Sequence, residues 1–286
     1  MAKRDIYQKN WYIEFLTPNE IHMHGLGKIV KSIQTKFQDL KIIDTLDYGR
    51  CIFLDGKIQS AELDEFIYHE ALVHPALFLH PKPERIFVAG GGEGAVLREI
   101  LKHPAVKEIV MVDIDKAVTD CAKKYLYKWH KGSFRNRKVK LVNQDAKKFL
   151  SKEKQKFDCI FIDICDPVEY KNPSAPLFKK EFINILKHRI TENGLVVIQS
   201  GSANVNMLKG FYGVSRTLKD IFNFVYPYFV PVSSFVGPWV FQIASQKELA
   251  AAIAPKRKLR GPLKFYSPEI HRGLFAVPPF IKKNLK

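Results

Sequence analysis

The stretch "DICDPVEY", Asp163 to Tyr170, sets two carboxylates, Asp163 and Asp166, directly behind the apolar run "FDCIFI". A short apolar run of this kind reads as a buried strand, so both acids stand where a strand leaves the core. Two neighbouring carboxylates can divide labour: one accepts a proton while the other holds a cation. Other strand ends also carry polar groups. Asp113 closes "EIVMVD", Asp145 closes "VKLVNQD", and Gln199 lies in "GLVVIQS". Glu93 sits inside the glycine run "GGGEGA", Gly90 to Ala95. Strand ends can be finished with Gly, Asn or Ser, so repeated acids point to a ligand bearing hydroxyls and cationic nitrogens.

The spacing Gly90, Gly92, Ala95 satisfies the pattern G-x-G-x-x-G/A, in which a glycine turn brings backbone close to a ligand at a helix N-terminus. Alone, the pattern fits a nicotinamide enzyme, a methyltransferase or a tight turn. Glu93 narrows the choice. A dinucleotide brings a pyrophosphate to such a loop and S-adenosylmethionine brings a carboxylate, and a desolvated Glu repels both. A ligand ending in an ammonium suits it. The alternative is that Glu93 faces solvent at a helix start, where the dipole favours a negative charge. Asp113, about twenty residues beyond the loop, stands where an acid takes ribose hydroxyls. Asp115 reads as a helix N-cap, and Asp145 either as an acceptor for an exocyclic adenine amine or as another cap. A second acid cluster, Glu62, Asp64, Glu65 and Glu70 in "QSAELDEFIYHE", carries no Lys or Arg and includes Tyr68 and His69. Asp64 and Glu65 read as helix N-terminal acids.

These residues need a scaffold. "WYIEFL", "KIVKSIQT", "LKIIDTL" and "RCIFLDGKIQSA" alternate apolar and polar residues, and "DYG" and "LDGK" signal hairpin turns. Residues 1–62 are therefore expected to form a small antiparallel β domain. Residues 63–286 are expected to form an α/β domain. A helix over Asp64–Leu79, which Pro75 should bend or break, leads into regular strand–helix alternation. That pattern predicts a Rossmann-like, methyltransferase-type, mostly parallel sheet with helices on both faces. Ligands then sit at the C-terminal strand ends.

The chain has 286 residues with 46 Lys+Arg against 29 Asp+Glu, a formal charge of +17. The segment 255–286 holds nine Lys/Arg and one Glu, so it supplies +8 of that. The remaining lysines are scattered singly, which reads as a solvated basic surface and argues against nucleic acid as the principal partner. Four scattered cysteines without a CxxC pair suggest neither a zinc site nor a disulfide framework. No run of ~18 apolar residues is present, and the first ten residues lack a secretion signal's apolar stretch. The expectation is a soluble cytoplasmic protein that does not engage membranes.

The runs "LDGKIQSAELDEFIYHEALVHPAL", "VAGGGEGAVLREILKHPAV", "VDID", "DICDPVEYKNPSAPLFKKEFI" and "LKFYSPEIHRGLFAVPPF" together resemble the polyamine aminopropyltransferases, the spermidine synthase family, over nearly the whole chain. The resemblance implies transfer of the aminopropyl group of decarboxylated S-adenosylmethionine to putrescine, agmatine or spermidine. It implies neither a cofactor nor a metal, and a homodimer or homotetramer. Residue by residue, it makes Asp163 the proton acceptor and Asp166 a ligand of the acceptor amine. Tyr68 and His69 close over the reacting centre, and Glu93 faces the aminopropyl ammonium. Gly90 and Gly92 line the donor site, with Asp113 on the ribose, Asp145 on the adenine and Gln38 as a further donor ligand. Gln199 lies beside the centre, and Tyr228 orients the attacking nitrogen. Phe235 and Trp239 are candidate walls of the polyamine channel or, equally, core residues. Glu93, "YHE" and the loop "VEYKNPS" look more like the thermospermine synthases and the thermophilic agmatine or triamine aminopropyltransferases. The alternative function is a methyltransferase using intact S-adenosylmethionine.

Overall fold

The structure is a computed structural model that describes residues 10–166, 174–253 and 257–285. It divides into two compact units. One comprises the chain up to Glu65 together with Ser233–Val236, and the other comprises Phe66–Val232 and Gly237 onward.

The N-terminal unit is an antiparallel sheet of β1 (Trp11–Thr17), β2 (Glu20–Gln34), β3 (Asp39–Thr45), β4 (Gly49–Leu54) and β5 (Lys57–Ala61), paired in chain order. Strand β2 is longer than the run "KIVKSIQT" predicts. Its first half, "EIHMHG", pairs with β1, and its register slips between Leu26 and Lys28. Gly27 sits at that bulge, where a Cβ would lie 2.7 Å from the Asp44 carbonyl oxygen, so a larger residue does not fit. Alternation drives Ile43, Cys51, Phe53, Ile58 and Ala61 into one small core. On the other side of the β1–β2 hairpin, Ile13, Phe15, Ile21 and Met23 are exposed.

The second unit carries a seven-stranded sheet in the order β11–β12–β10–β9–β6–β7–β8. Its strands are β6 (Arg85–Gly90), β7 (Glu108–Asp113), β8 (Val139–Asn143), β9 (Phe157–Asp163), β10 (Ile190–Ser202), β11 (Phe224–Val232) and β12 (Gly237–Ser245). Strands β6 to β10 run parallel, and β12 is antiparallel to both β10 and β11. This is the Rossmann-like, methyltransferase-type arrangement, and its strand order reverses at β6 and β9. The helices are α1 (Glu65–Leu79), α2 (Ala95–Ile100), α3 (Lys116–Tyr125), α4 (Tyr127–His130), α5 (Ala146–Lys152), α6 (Lys180–Arg189), α7 (Lys209–Lys219), α8 (Pro268–Leu274) and α9 (Pro279–Lys283). Phe87, Val110, Ile160 and Val196 on one face of the strands join Leu150, Phe182, Leu186 and Leu218 of α5, α6 and α7 in one core. The alternate strand residues Val88, Met111, Phe161 and Val197 are fully buried too, so both faces of the sheet are covered.

Helix α1 corrects one expectation: it runs unbroken through Pro75. Proline has no N–H to give the carbonyl four residues earlier, that of Ala71. The Tyr228 hydroxyl donates to that carbonyl at 3.0 Å instead. The C-terminal end of α1 is finished by Arg257, whose guanidinium donates to the Leu77 carbonyl at 2.9 Å and to those of Phe78 and His80. Glu70, in the same helix, accepts backbone N–H groups from Lys264, Phe265 and Tyr266 at 2.8–2.9 Å. The basic C-terminal segment is thus tied to α1 within the second unit. Among the described residues no helix is long and apolar enough to cross a membrane.

Candidate active site

The sheet reverses its strand order between β6 and β9, and there the glycine loop meets Asp163. Gly90 pairs with Asp163 across the two strands, and the Gly91 N–H donates to the Asp163 carbonyl at 2.8 Å. A Cβ on Gly90 would lie 2.0 Å from that carbonyl oxygen, and Gly90 has φ +80°, so glycine is required on both counts. The same want of side chains lets acids crowd the loop. A Cβ on Gly91 would meet Asp163 Oδ2 at 3.3 Å, and one on Gly92 would meet Asp113 Oδ2 at 2.8 Å.

The first turns of α1 supply the facing groups. Tyr68 donates its hydroxyl to Asp163 Oδ1 at 2.6 Å, and His69 Nε2 lies 2.7 Å from Glu93 Oε1. One polar atom each from His69, Glu93 and Asp163 falls within 4.8 Å of the others. That donor set could hold a cation of either kind, a metal ion or an ammonium. The Asp163 residue is half-buried, but its carboxyl is covered by Tyr68 and the glycine loop. Desolvation, followed by the Glu93 charge, pushes it up to about 7, against the opposing pull of His69 and the Tyr68 hydrogen bond. Burial pushes Asp113 up to about 7 as well, helped by the charges of Asp115, Glu93 and Asp163, while the Asp115 N–H opposes the rise. Burial and the neighbouring Asp163 hold the Tyr68 phenol well above its usual range, so it stays a donor.

Three further expected residues stand around this group. Asp166 packs on Gly201, where a Cβ would lie 2.8 Å from Asp166 Oδ1. Gln199 ties the β9 and β10 ends together. Its amide donates to the Ile164 carbonyl at 2.5 Å, and its oxygen accepts from the Gly201 N–H and from Trp239 Nε1. Trp239 is half-buried against that amide.

Other expectations need correction or sharpening. Tyr228 is fully buried and its hydroxyl is committed to Ala71, so in this structure it supports α1 rather than presenting a free group to an amine. Asp145 caps α5 by accepting from the Lys148 N–H at 2.8 Å. Asp115 caps α3 as expected, accepting from Ala117 at 3.0 Å. Asp64, expected as a helix-start acid, binds the Ser234 N–H and hydroxyl at 2.8 and 2.9 Å. Gln38 and Phe235 belong to the N-terminal unit. Gln38 is a buried loop residue whose carbonyl accepts the Thr35 N–H and whose own N–H donates to the Thr35 hydroxyl, and Phe235 packs on the small sheet core. The loop "VEYKNPS" lies outside the described residues except for Ser174, whose hydroxyl donates to the Cys165 carbonyl at 3.2 Å.

Sequence reasoning placed His69 and Glu93 separately and missed that they bind each other. It also missed Gly91 and Gly201 as the floor under Asp163 and Asp166. Their positive φ values, +70° and +83°, have no signature beyond the glycines themselves.

Residues 65–254 match the family described as the spermine/spermidine synthase domain, and residues 10–62 match the spermidine synthase tetramerisation domain. A polyamine aminopropyltransferase of Sulfurisphaera tokodaii is 41% identical over 98% of this chain and 95% of its own length. That of Sulfolobus acidocaldarius is 38% identical over the same shares. Among solved structures, a spermidine synthase in complex with the transition-state analogue AdoDATO superposes with a TM-score of 0.90 at 30% identity, covering 99% of this chain and 98% of that one. Identity of this extent along both halves, on the same fold, admits one assignment: the chain belongs to the spermidine synthase family of polyamine aminopropyltransferases.

Proposed function

We propose that this enzyme moves the aminopropyl group of decarboxylated S-adenosylmethionine onto an amine of putrescine, agmatine or spermidine, with Asp163 as general base. The carrying observation is the gathering of Asp163, Glu93 and Asp113 against one glycine loop in an otherwise basic chain. A polyamine nitrogen is an ammonium at neutral pH and has no lone pair to attack with. Freeing it costs about three pKa units, roughly 4 kcal/mol. Asp163 takes that proton, and Asp166 holds the acceptor chain. The freed nitrogen attacks the aminopropyl CH2 next to the sulfonium. The C–S bond breaks, its electron pair stays on sulfur, and methylthioadenosine leaves. Tyr68 donates to Asp163 and fixes the direction in which its carboxylate faces. Glu93, oriented by His69, receives the aminopropyl ammonium, and Asp113 receives the ribose hydroxyls. The acids offset the mutual repulsion of two cationic substrates.

Gln199 and Trp239 act beside the acceptor by holding the Ile164 turn. The exposed Ile13, Phe15, Ile21 and Met23, together with the match to a tetramerisation domain, support a homotetramer built through the N-terminal sheet. The reaction is tested by mixing the enzyme with decarboxylated S-adenosylmethionine and, in turn, putrescine, agmatine, spermidine and norspermidine. Methylthioadenosine should form with at least one of them. If none yields it, the reading fails. A methyltransferase would instead bind the carboxylated donor more tightly, which Glu93 opposes.

A further inference from the structure

On the β1–β2 hairpin, Glu14, His22 and His24 share one face. His22 and His24 are two apart on β2, and Glu14 stands opposite His22 in the register. One polar atom from each lies within 4.8 Å of the other two. Glu14 and His24 are each 3% exposed. Glu14 Oε2 lies 3.0 Å from His24 Nε2, and Glu14 Oε1 accepts the Ile58 N–H at 3.1 Å. The two imidazole rings stand 4.1 Å apart. Both Nδ1 atoms are buried, and neither has a hydrogen-bond partner among the described residues. Buried polar atoms are ordinarily paired. The transfer chemistry uses none of the three.

We propose that Glu14, His22 and His24 form a binding site for a divalent transition-metal ion, Zn2+ foremost. Two imidazoles and a carboxylate are the donor types this ion takes, and three protein ligands leave one position for water. The Ile58 N–H on the second Glu14 oxygen is the outer-shell contact that orients a ligating carboxylate. The imidazoles must be neutral to bind. The hairpin sets the three side chains, so gathering their donors around one ion takes side-chain rotation with little backbone movement. The competing explanation is a buried Glu14–His24 hydrogen bond lined by Phe53 and Tyr48, which needs no ion. It leaves His22 and both Nδ1 atoms unused.

The test titrates Zn2+, and separately Co2+, into chelator-treated full-length protein, read by calorimetry and by the visible spectrum of four-coordinate Co2+. One equivalent per chain is expected, with affinity falling at least about tenfold in His22→Gln and in Glu14→Gln. Glu93→Gln, which alters the cluster of His69, Glu93 and Asp163, should leave that equivalent in place. Melting curves without metal check that the hairpin variants are folded. Absence of saturable binding overturns the proposal. So does binding that survives in both hairpin variants, or that disappears only in Glu93→Gln.

Discussion

The Tyr228 hydroxyl donates to the Ala71 carbonyl, the acceptor that Pro75 strips of its helical donor. One aromatic side chain on β11 therefore keeps α1 continuous, and α1 carries Tyr68 and His69.

Removing that hydroxyl leaves a buried carbonyl unpaired. Tyr228→Phe should cost about 1–3 kcal/mol and lower turnover through a displaced first turn of α1. Pro75→Ala restores the missing N–H, so the double variant should recover most of both losses. Melting curves and kcat measured on all four proteins check this. Activity that stays lost in the double variant would return Tyr228 to direct contact with the amine.

Asp163→Asn removes the proposed base and keeps the shape. Turnover should fall by roughly 10²–10⁴ while calorimetric binding of decarboxylated S-adenosylmethionine persists. Tyr68→Phe should cost less, because the carboxylate remains and loses only its orienting donor.

The fold was legible because strand and helix periods alternate in the sequence from Arg85 to Gln199, and because a glycine run marks the turn at which Gly90 admits no Cβ. The acids were legible because each ends or follows a strand. The pairings were not. Tyr68 meets Asp163 across 95 residues, and His69 meets Glu93 across 24, contacts set by strand order rather than by any local pattern. The first half of β2 was hidden because "EIHMHG" lacks a β-branched run. Pro75 misled because its rescue by Tyr228 lies 153 positions away, the difference between 228 and 75.

The raised carboxyls predict a pH dependence of rate. With Asp163 near 7 in the free enzyme, part of it is protonated at neutral pH and cannot serve as base. The profile of kcat/KM should carry an acid limb with a midpoint near 7. The limb in kcat should lie lower, because bound cations pull the carboxyl down. A kcat/KM profile flat between about pH 5 and 8 would remove the role given to Asp163.

The same shifts bear on stability with a definite sign. Burial pushes the Asp113 carboxyl up to about 7 in the folded state, from the ordinary 3.8 of an exposed aspartate, so across that window the folded state holds a proton the unfolded state has released. Its contribution therefore turns unfavourable as pH rises from about 4 to 7 and is fully unfavourable above that. Asp113→Asn keeps the acceptor for the Asp115 N–H and removes the buried charge. The variant should melt higher than the parent at pH 8, by several degrees, with the gain vanishing toward pH 4. Glu99 works oppositely. His74, Arg98 and Lys102 hold its carboxyl well below the usual range against its own burial, so its favourable contribution is lost on acidification. Only the difference between parent and variant isolates Asp113.

Glu70 links the C-terminal segment to α1, since three consecutive backbone N–H groups converge on one buried carboxylate. Glu70→Gln replaces an acceptor-only group with one that presents an NH2 to one of those donors and loses the charge that strengthens all three bonds. It should lower stability by about 2–4 kcal/mol and expose the segment after Arg257 to limited proteolysis. Donor affinity should change little, because His69 and Glu93 bind each other independently of the segment. Proteolysis rates that match the parent, alongside an unchanged melting temperature, would show that the segment is held by its apolar groups and that the Glu70 bonds are incidental.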